Sequence, residues 1–134
     1  MHSYIYVAIV TVLALLTYAW MGTRVSATRR KTGIRAPAVT GDPLLERTIR
    51  AHYNTLEWLP IFLPALWLFA IYWNTLAAAA LGVIWIIARI VYFLGYTAEA
   101  SKRSTGFLIQ TFAAAALLLG ALGRLIYLAA TGAS

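Results

Sequence analysis

Three stretches of this chain carry no charged side chain: Ser3–Thr23, Trp58–Ala88 and Ser104–Gly123. A helix needs about 20 mostly apolar residues to cross a hydrocarbon core of roughly 30 Å. The first and third runs each suit one crossing. The middle run is too long for one and must double back. Tyr72, Trp73, Asn74 and Thr75 mark the hairpin, because adjacent aromatic residues favour the membrane–water interface. The expected fold is therefore all-α, an integral membrane four-helix bundle. It forms a single domain over residues 1–134, with helices at about 3–22, 45–72, 76–99 and 104–129 and a basic loop over 23–44.

The remaining composition agrees with that reading. Hydrophobic residues make up 62% of the chain and charged residues only 11%, against about a quarter charged in soluble domains. Too few charges are present to cover a water-facing surface. No Lys or Arg precedes the first run, and the run is longer than the apolar region of a signal peptide, so it is expected to stay as a helix. The chain has no cysteine, which removes disulfides, thiolate nucleophiles and thiolate metal sites, and no metal is expected.

The formal net charge of +7 invites a nucleic-acid reading, but the distribution of the charge opposes it. Arg24, Arg29, Arg30, Lys31 and Arg35 fall in the first loop, and Lys102 and Arg103 in the third. Arg124, near the end of the fourth helix, is the exception on the other side. This bias places loops one and three in the cytoplasm and both termini on the opposite side. Part of the first-loop charge can meet anionic lipid headgroups.

The polar residues of the second and third helices fall into stripes. Arg47, Arg50, Asn54 and Glu57 are spaced three, four and three apart, which confines them to an arc of about 80° on an α-helix. Arg50 and Glu57 are two turns apart, a little far for direct contact, with Asn54 between them. Arg89, Tyr92, Tyr96, Glu99 and Arg103 repeat the spacing, provided the third helix continues to Arg103. Both stripes reach the cytoplasmic side. Single buried Arg or Glu residues often only fix helix register, and interfacial tyrosines often only anchor a helix. Two stripes meeting at one membrane face point instead to a functional site.

Arginines grip carboxylates with a two-bond fork, and a glutamate can hold an ammonium group. An arginine near a thiol lowers its pKa by favouring the anion. Apolar flanks on the first and fourth helices would admit a greasy second substrate. These features suit a charged, peptide-like thiol meeting a lipophilic electrophile.

The segment Glu46-Arg47-x-x-Arg50-Ala51-His52-Tyr53-Asn54-Thr55-Leu56-Glu57-Trp58-Leu59-Pro60 resembles the signature of the MAPEG family, the membrane-associated proteins in eicosanoid and glutathione metabolism. Arg89-x-x-Tyr92-Phe93-x-Gly95-Tyr96, followed by Arg103, resembles the third helix of that family, in the style of its microsomal glutathione transferases. The resemblance covers the whole chain and implies a homotrimer that binds glutathione between neighbouring subunits. It implies that Arg50, Asn54, Glu57, Tyr92 and Tyr96 hold the peptide and that Arg103 stabilises its thiolate. His52 matches a position that reaches the neighbouring subunit's ligand. Arg29 or Arg30 matches an arginine that contacts glutathione or the second substrate. Arg89 and Ser104 complete the candidate set together with Trp58, which stands where one branch has a ligand-bonding tyrosine.

The expected function is a glutathione-dependent membrane transferase acting on lipophilic electrophiles, with peroxidase activity toward lipid hydroperoxides as a companion. A non-catalytic glutathione- or lipid-binding protein is the first alternative. A four-helix drug/proton exchanger is the second, although such a design is expected to place a glutamate in the first helix, which here is uncharged. An assembly factor would leave the stripes unexplained. A bacterial inner membrane is compatible with the chain.

Overall fold

The computed structural model describes residues 2–132; Met1, Ala133 and Ser134, at the ends of the expected domain, lie outside the described residues. After a short 3-10 turn at His2–Tyr4 come four helices: α1 Ile5–Thr32, α2 Pro43–Tyr72, α3 Thr75–Ala98 and α4 Ser104–Thr131, with a second 3-10 turn at Ala100–Arg103 before α4. All four helices are long and apolar enough to cross a bilayer.

Local chemistry sets most of the boundaries. Asp42 caps α2, its Oδ1 accepting from the backbone N–H groups of Leu44 and Leu45 at 2.9 and 3.1 Å, with Pro43 opening the first turn. The hairpin falls where the aromatics place it, α2 ending at Tyr72 and Asn74 capping α3 through the Ala77 N–H at 2.8 Å. Pro60 and Pro64 sit inside α2 with their rings outward, as membrane helices tolerate when neighbours resatisfy the backbone.

Two expectations need correction. First, α1 does not stop near residue 22 but runs to Thr32 and closes on Gly33 in the left-handed conformation (φ 75°). Charges at Arg24 and beyond end the apolar run, yet they do not break a helix. Arg29, Arg30 and Lys31 in the last turn complement the helix dipole. Only ten residues, 33–42, then separate α1 from α2.

Second, α3 does not carry the stripe through to Arg103. It ends at Ala98, and Glu99 is extended (φ −160°, ψ 133°). The chain folds back so tightly that a Cβ on Gly95 would lie 2.5 Å from the Lys102 carbonyl oxygen. Just beyond, a Cβ on Gly106 would overlap the Tyr92 backbone nitrogen and come within 2.7 Å of the Ala88 carbonyl. These two glycines bring α4 directly against α3 and return Arg103 above Tyr96.

The central pair is α2 and α3, with α1 packed on one flank of both and α4 on the other. The core between them is apolar, centred on Phe62 stacked on Trp85 at 3.9 Å with Val7, Val10, Leu66 and Leu117 around it. Trp67 donates its indole N–H to the Thr11 hydroxyl at 2.9 Å, tying α2 to α1. Outward faces carry large exposed apolar side chains, among them Leu16, Ile87, Phe112 and Leu119, which suits a lipid-facing surface. The protein is a multi-pass integral membrane protein.

Candidate functional site

A cleft of about 470 Å³ opens on the α4 flank near the 3-10 turn. Arg50 and Asn54 come to it from α2, Tyr92 and Tyr96 from α3, and Arg103 from the turn, while Ser104, Phe107 and Leu108 form its α4 wall. Six residues singled out in the sequence therefore converge. The volume lies in the range of small-molecule sites, about 300–1,000 Å³. One side is polar and cationic. The other is apolar, and Leu108 is largely exposed on the outside of the bundle.

Arg89 lies beneath this cleft, wholly buried. Its Nη2 donates to the Thr55 hydroxyl at 2.6 Å and to the Asn54 side-chain oxygen at 3.0 Å. Its guanidinium stands 4.3 Å from the Tyr92 ring centroid. An arginine only donates, so the Asn54 oxygen must face it, and the Asn54 NH₂ is left to donate elsewhere. Arg89 thereby fixes both the amide orientation and a tyrosine that line the cleft. Among the described residues it has no carboxylate partner, since the ion pairs are Arg50–Glu57 and Lys102–Glu99.

The α2 stripe does three separate jobs. Arg47 turns to α3 and donates to the Thr97 carbonyl at 3.2 Å, covering the end of that helix. Arg50 and Glu57 meet directly, Nη2 to Oε1 at 3.5 Å, although the spacing had suggested they fall short. Their long side chains close the two-turn gap, and Asn54 turns inward to Arg89 instead of lying between them. Both members of the pair are more than half exposed, at 55% and 56%.

Arg103 donates one bond to the Ala100 carbonyl at 3.2 Å, and its guanidinium stands 5.3 Å from the Tyr96 ring. Its remaining N–H groups are free for a ligand. Tyr92 and Tyr96 meet edge to face at 5.6 Å.

Other candidates lie elsewhere within the single chain. His52 stacks on Tyr18 of α1 at 4.3 Å, on the opposite flank from the cleft. Arg29 donates to the Ala38 and Ile34 carbonyls at 2.7 and 3.4 Å and braces the first loop. Arg30 is exposed. Trp58 packs edge-on against Phe107 at 5.8 Å, beside the cleft and not in its lining. Glu57 reaches the site only through Arg50. Thr55, Phe107 and Leu108 were not anticipated. Thr55 had a signal, since it adjoins Asn54 on a helix crossed by a buried arginine. The two apolar residues had none beyond their place after Ser104.

A polytopic four-helix bundle with a cationic, tyrosine-bearing cleft near one end defines a class of small membrane proteins. The chain matches the MAPEG family over residues 7–123, and it belongs to that family. It is 41% identical over 120 residues to microsomal glutathione S-transferase 2 of Homo sapiens, covering 89% of this chain and 82% of that protein. It is 38% identical over 96 residues to leukotriene C4 synthase of Bos taurus, covering 72% and 64%. An uncharacterized protein of Synechocystis is 42% identical over 120 residues, covering 90% and 88%.

Proposed function

We propose that the protein is a glutathione-dependent membrane transferase that conjugates the peptide to lipophilic electrophiles. The observation that carries the reading is the convergence of Arg50, Asn54, Tyr92, Tyr96 and Arg103 on one cleft whose far wall is apolar. Relatives named glutathione S-transferase and leukotriene C4 synthase support the use of glutathione.

In this reading Arg50 takes a glutathione carboxylate and Glu57 its ammonium group. The Asn54 NH₂ and the tyrosine hydroxyls bond the peptide between them. Arg103 faces the thiol and favours its anion. The thiol proton passes to water, and the sulfur lone pair forms a carbon–sulfur bond. The leaving group departs with its bonding pair or, at an activated alkene, the displaced pair takes a proton from water. Phe107 and Leu108 receive an electrophile arriving from the bilayer.

The assembly proposed is a homotrimer with loops one and three in the cytoplasm. The Arg50–Glu57 pair supports a covering subunit. From Trp58 to Tyr72 the chain rises only about 21 Å, short of a core of roughly 30 Å, so with Tyr72 at the far interface Glu57 falls within the hydrocarbon depth. A half-exposed ion pair there is costly against lipid and is relieved by a neighbouring chain. His52, Arg29 and Arg30, which lie away from their own cleft, are then available to a neighbour's.

Purified protein assayed with glutathione against chromogenic electrophiles and lipid hydroperoxides tests the function. Thiol-dependent conjugation is expected, and hydroperoxide reduction in the same panel would add the peroxidase activity. Tight glutathione binding without turnover of any substrate would leave the binding-protein alternative standing.

A further inference from the structure

We infer that the seam between α1 and α3, on the flank away from the cleft, binds an anionic phospholipid of the surrounding bilayer. Two recesses share this seam. The one nearer the first loop, about 440 Å³, has Arg24, Thr28 and Lys31 on its α1 wall and Thr97 on its α3 wall, and it also reaches Leu44 and Thr48 of α2. The other, about 340 Å³, is lined by Leu13, Leu16, Thr17, Trp20 and Ile90. They adjoin at Trp20, whose ring meets Phe93 edge-on at 5.4 Å, and Phe93 forms part of the upper recess.

The sequence spacing makes the two recesses one furrow. Leu13, Thr17, Trp20, Arg24, Thr28 and Lys31 recur every three or four residues and occupy one strip of α1. From Leu13 to Trp20 the helix rises about 10 Å, within one leaflet of a core of roughly 30 Å. From Arg24 to Lys31 it rises about 10 Å more, through the headgroup layer. An apolar lower half under a cationic upper half is the shape of a single phospholipid, acyl chain below and phosphate above.

The charges agree. Among the described residues neither Arg24 nor Lys31 takes part in an ion pair. The carbonyl end of α3 would repel an anion here, but Arg47 donates to the Thr97 carbonyl at 3.2 Å and offsets it. A free phosphate would satisfy the cations and leave the apolar furrow unfilled, so the occupant is the lipid.

The test uses the full chain in nanodiscs of phosphatidylcholine containing a small fraction of lipid with brominated acyl chains. The difference in tryptophan fluorescence between the protein and its Trp20→Phe variant isolates Trp20. Brominated phosphatidylglycerol should quench that component at a far lower mole fraction than brominated phosphatidylcholine does. Arg24→Gln and Lys31→Gln should each weaken the preference about fivefold, and the double variant about thirtyfold. Arg35→Gln with Lys102→Gln, a matched charge loss outside the furrow, should leave it intact. Each single variant keeps the test open if the double variant fails to fold. Equal quenching by the two lipids, a preference that survives the double variant, or one lost equally in the control overturns the proposal. Displacement of the quenching lipid by inorganic phosphate also overturns it, because the site would then be one for a free anion.

Discussion

Replacing Arg103 by leucine separates an enzyme from a binding protein. Arg103 sits at the cleft mouth, over Tyr96 and with one N–H used by the Ala100 carbonyl. A unit charge about 4 Å from a thiolate is worth about 1 kcal/mol in water and about 4 kcal/mol at the effective dielectric of a protein surface. Arg103 is exposed in the single chain and partly screened once a ligand fills the cleft, so about 2.7 kcal/mol, or two pKa units, is expected. A thiol of pKa about 8.5 is then mostly ionised at neutral pH, whereas without Arg103 only about 3% is ionised. The Arg103→Leu variant should therefore lose the thiolate ultraviolet band on binding glutathione. Turnover should fall roughly 25-fold at neutral pH and climb about tenfold per pH unit toward pH 8.5. Glutathione affinity should change much less, because Arg50 and Asn54 remain. Stopped-flow absorbance and a pH–rate profile read these quantities. A variant with a normal thiolate band and normal neutral turnover would remove Arg103 from the mechanism and reduce it to a headgroup anchor.

Arg50→Ala and Glu57→Ala should each weaken glutathione binding roughly 10- to 100-fold by calorimetry, the usual cost of losing a charged hydrogen-bond partner; unchanged affinity in two folded variants rejects their role. Gly106→Ala forces a methyl group into the backbone of α3 at Tyr92 and Ala88, neither a flexible side-chain end, so it should destabilise the protein by about 1–3 kcal/mol, and an unchanged melting temperature would contradict the close crossing. Co-expressed His52→Ala and Arg103→Leu chains should give activity that departs from a linear mixture, since trimeric sites would draw on both; a fully active monomer in mild detergent excludes this arrangement. Reporter fusions at the C-terminus should report the non-cytoplasmic side, and a cytoplasmic signal reverses the orientation.

The parts of this structure that the sequence discloses are those decided within a few residues. Asp42-Pro43 starts a helix by its own hydrogen bonds, and Trp73-Asn74 ends one helix and caps the next. The extent of α1 was hidden because a charge pattern marks where a membrane ends, and a helix of arginine and lysine continues happily into water until Gly33 stops it. The fate of Arg103 depended on contacts far along the chain, Lys102 on Gly95 and Gly106 on Ala88, which periodicity does not contain. The α2 stripe placed four polar residues on one arc, yet an arc has several neighbours. Arg47 found the end of α3, Arg50 found Glu57 and Asn54 found Arg89. Spacing fixes direction, and only packing says what lies there.

The buried Arg89 gives the site a charge balance that the stripes alone do not convey. Glu57 offsets Arg50, so the positive charges of Arg89 and Arg103 stand without a carboxylate among the described residues. A wholly buried guanidinium is costly unless hydroxyl, amide and ring faces compensate it, as Thr55, Asn54 and Tyr92 partly do here. Glutathione carries two carboxylates and one ammonium, a net single negative charge that becomes double when the thiol ionises. A cleft with two uncompensated cations, one at its floor and one at its mouth, matches the ionised form better than the neutral thiol. On the proposed function, the field that would draw the peptide in would also favour its thiolate. In the proposed reading Arg89, wholly buried, acts on the ligand through this field and not by contact.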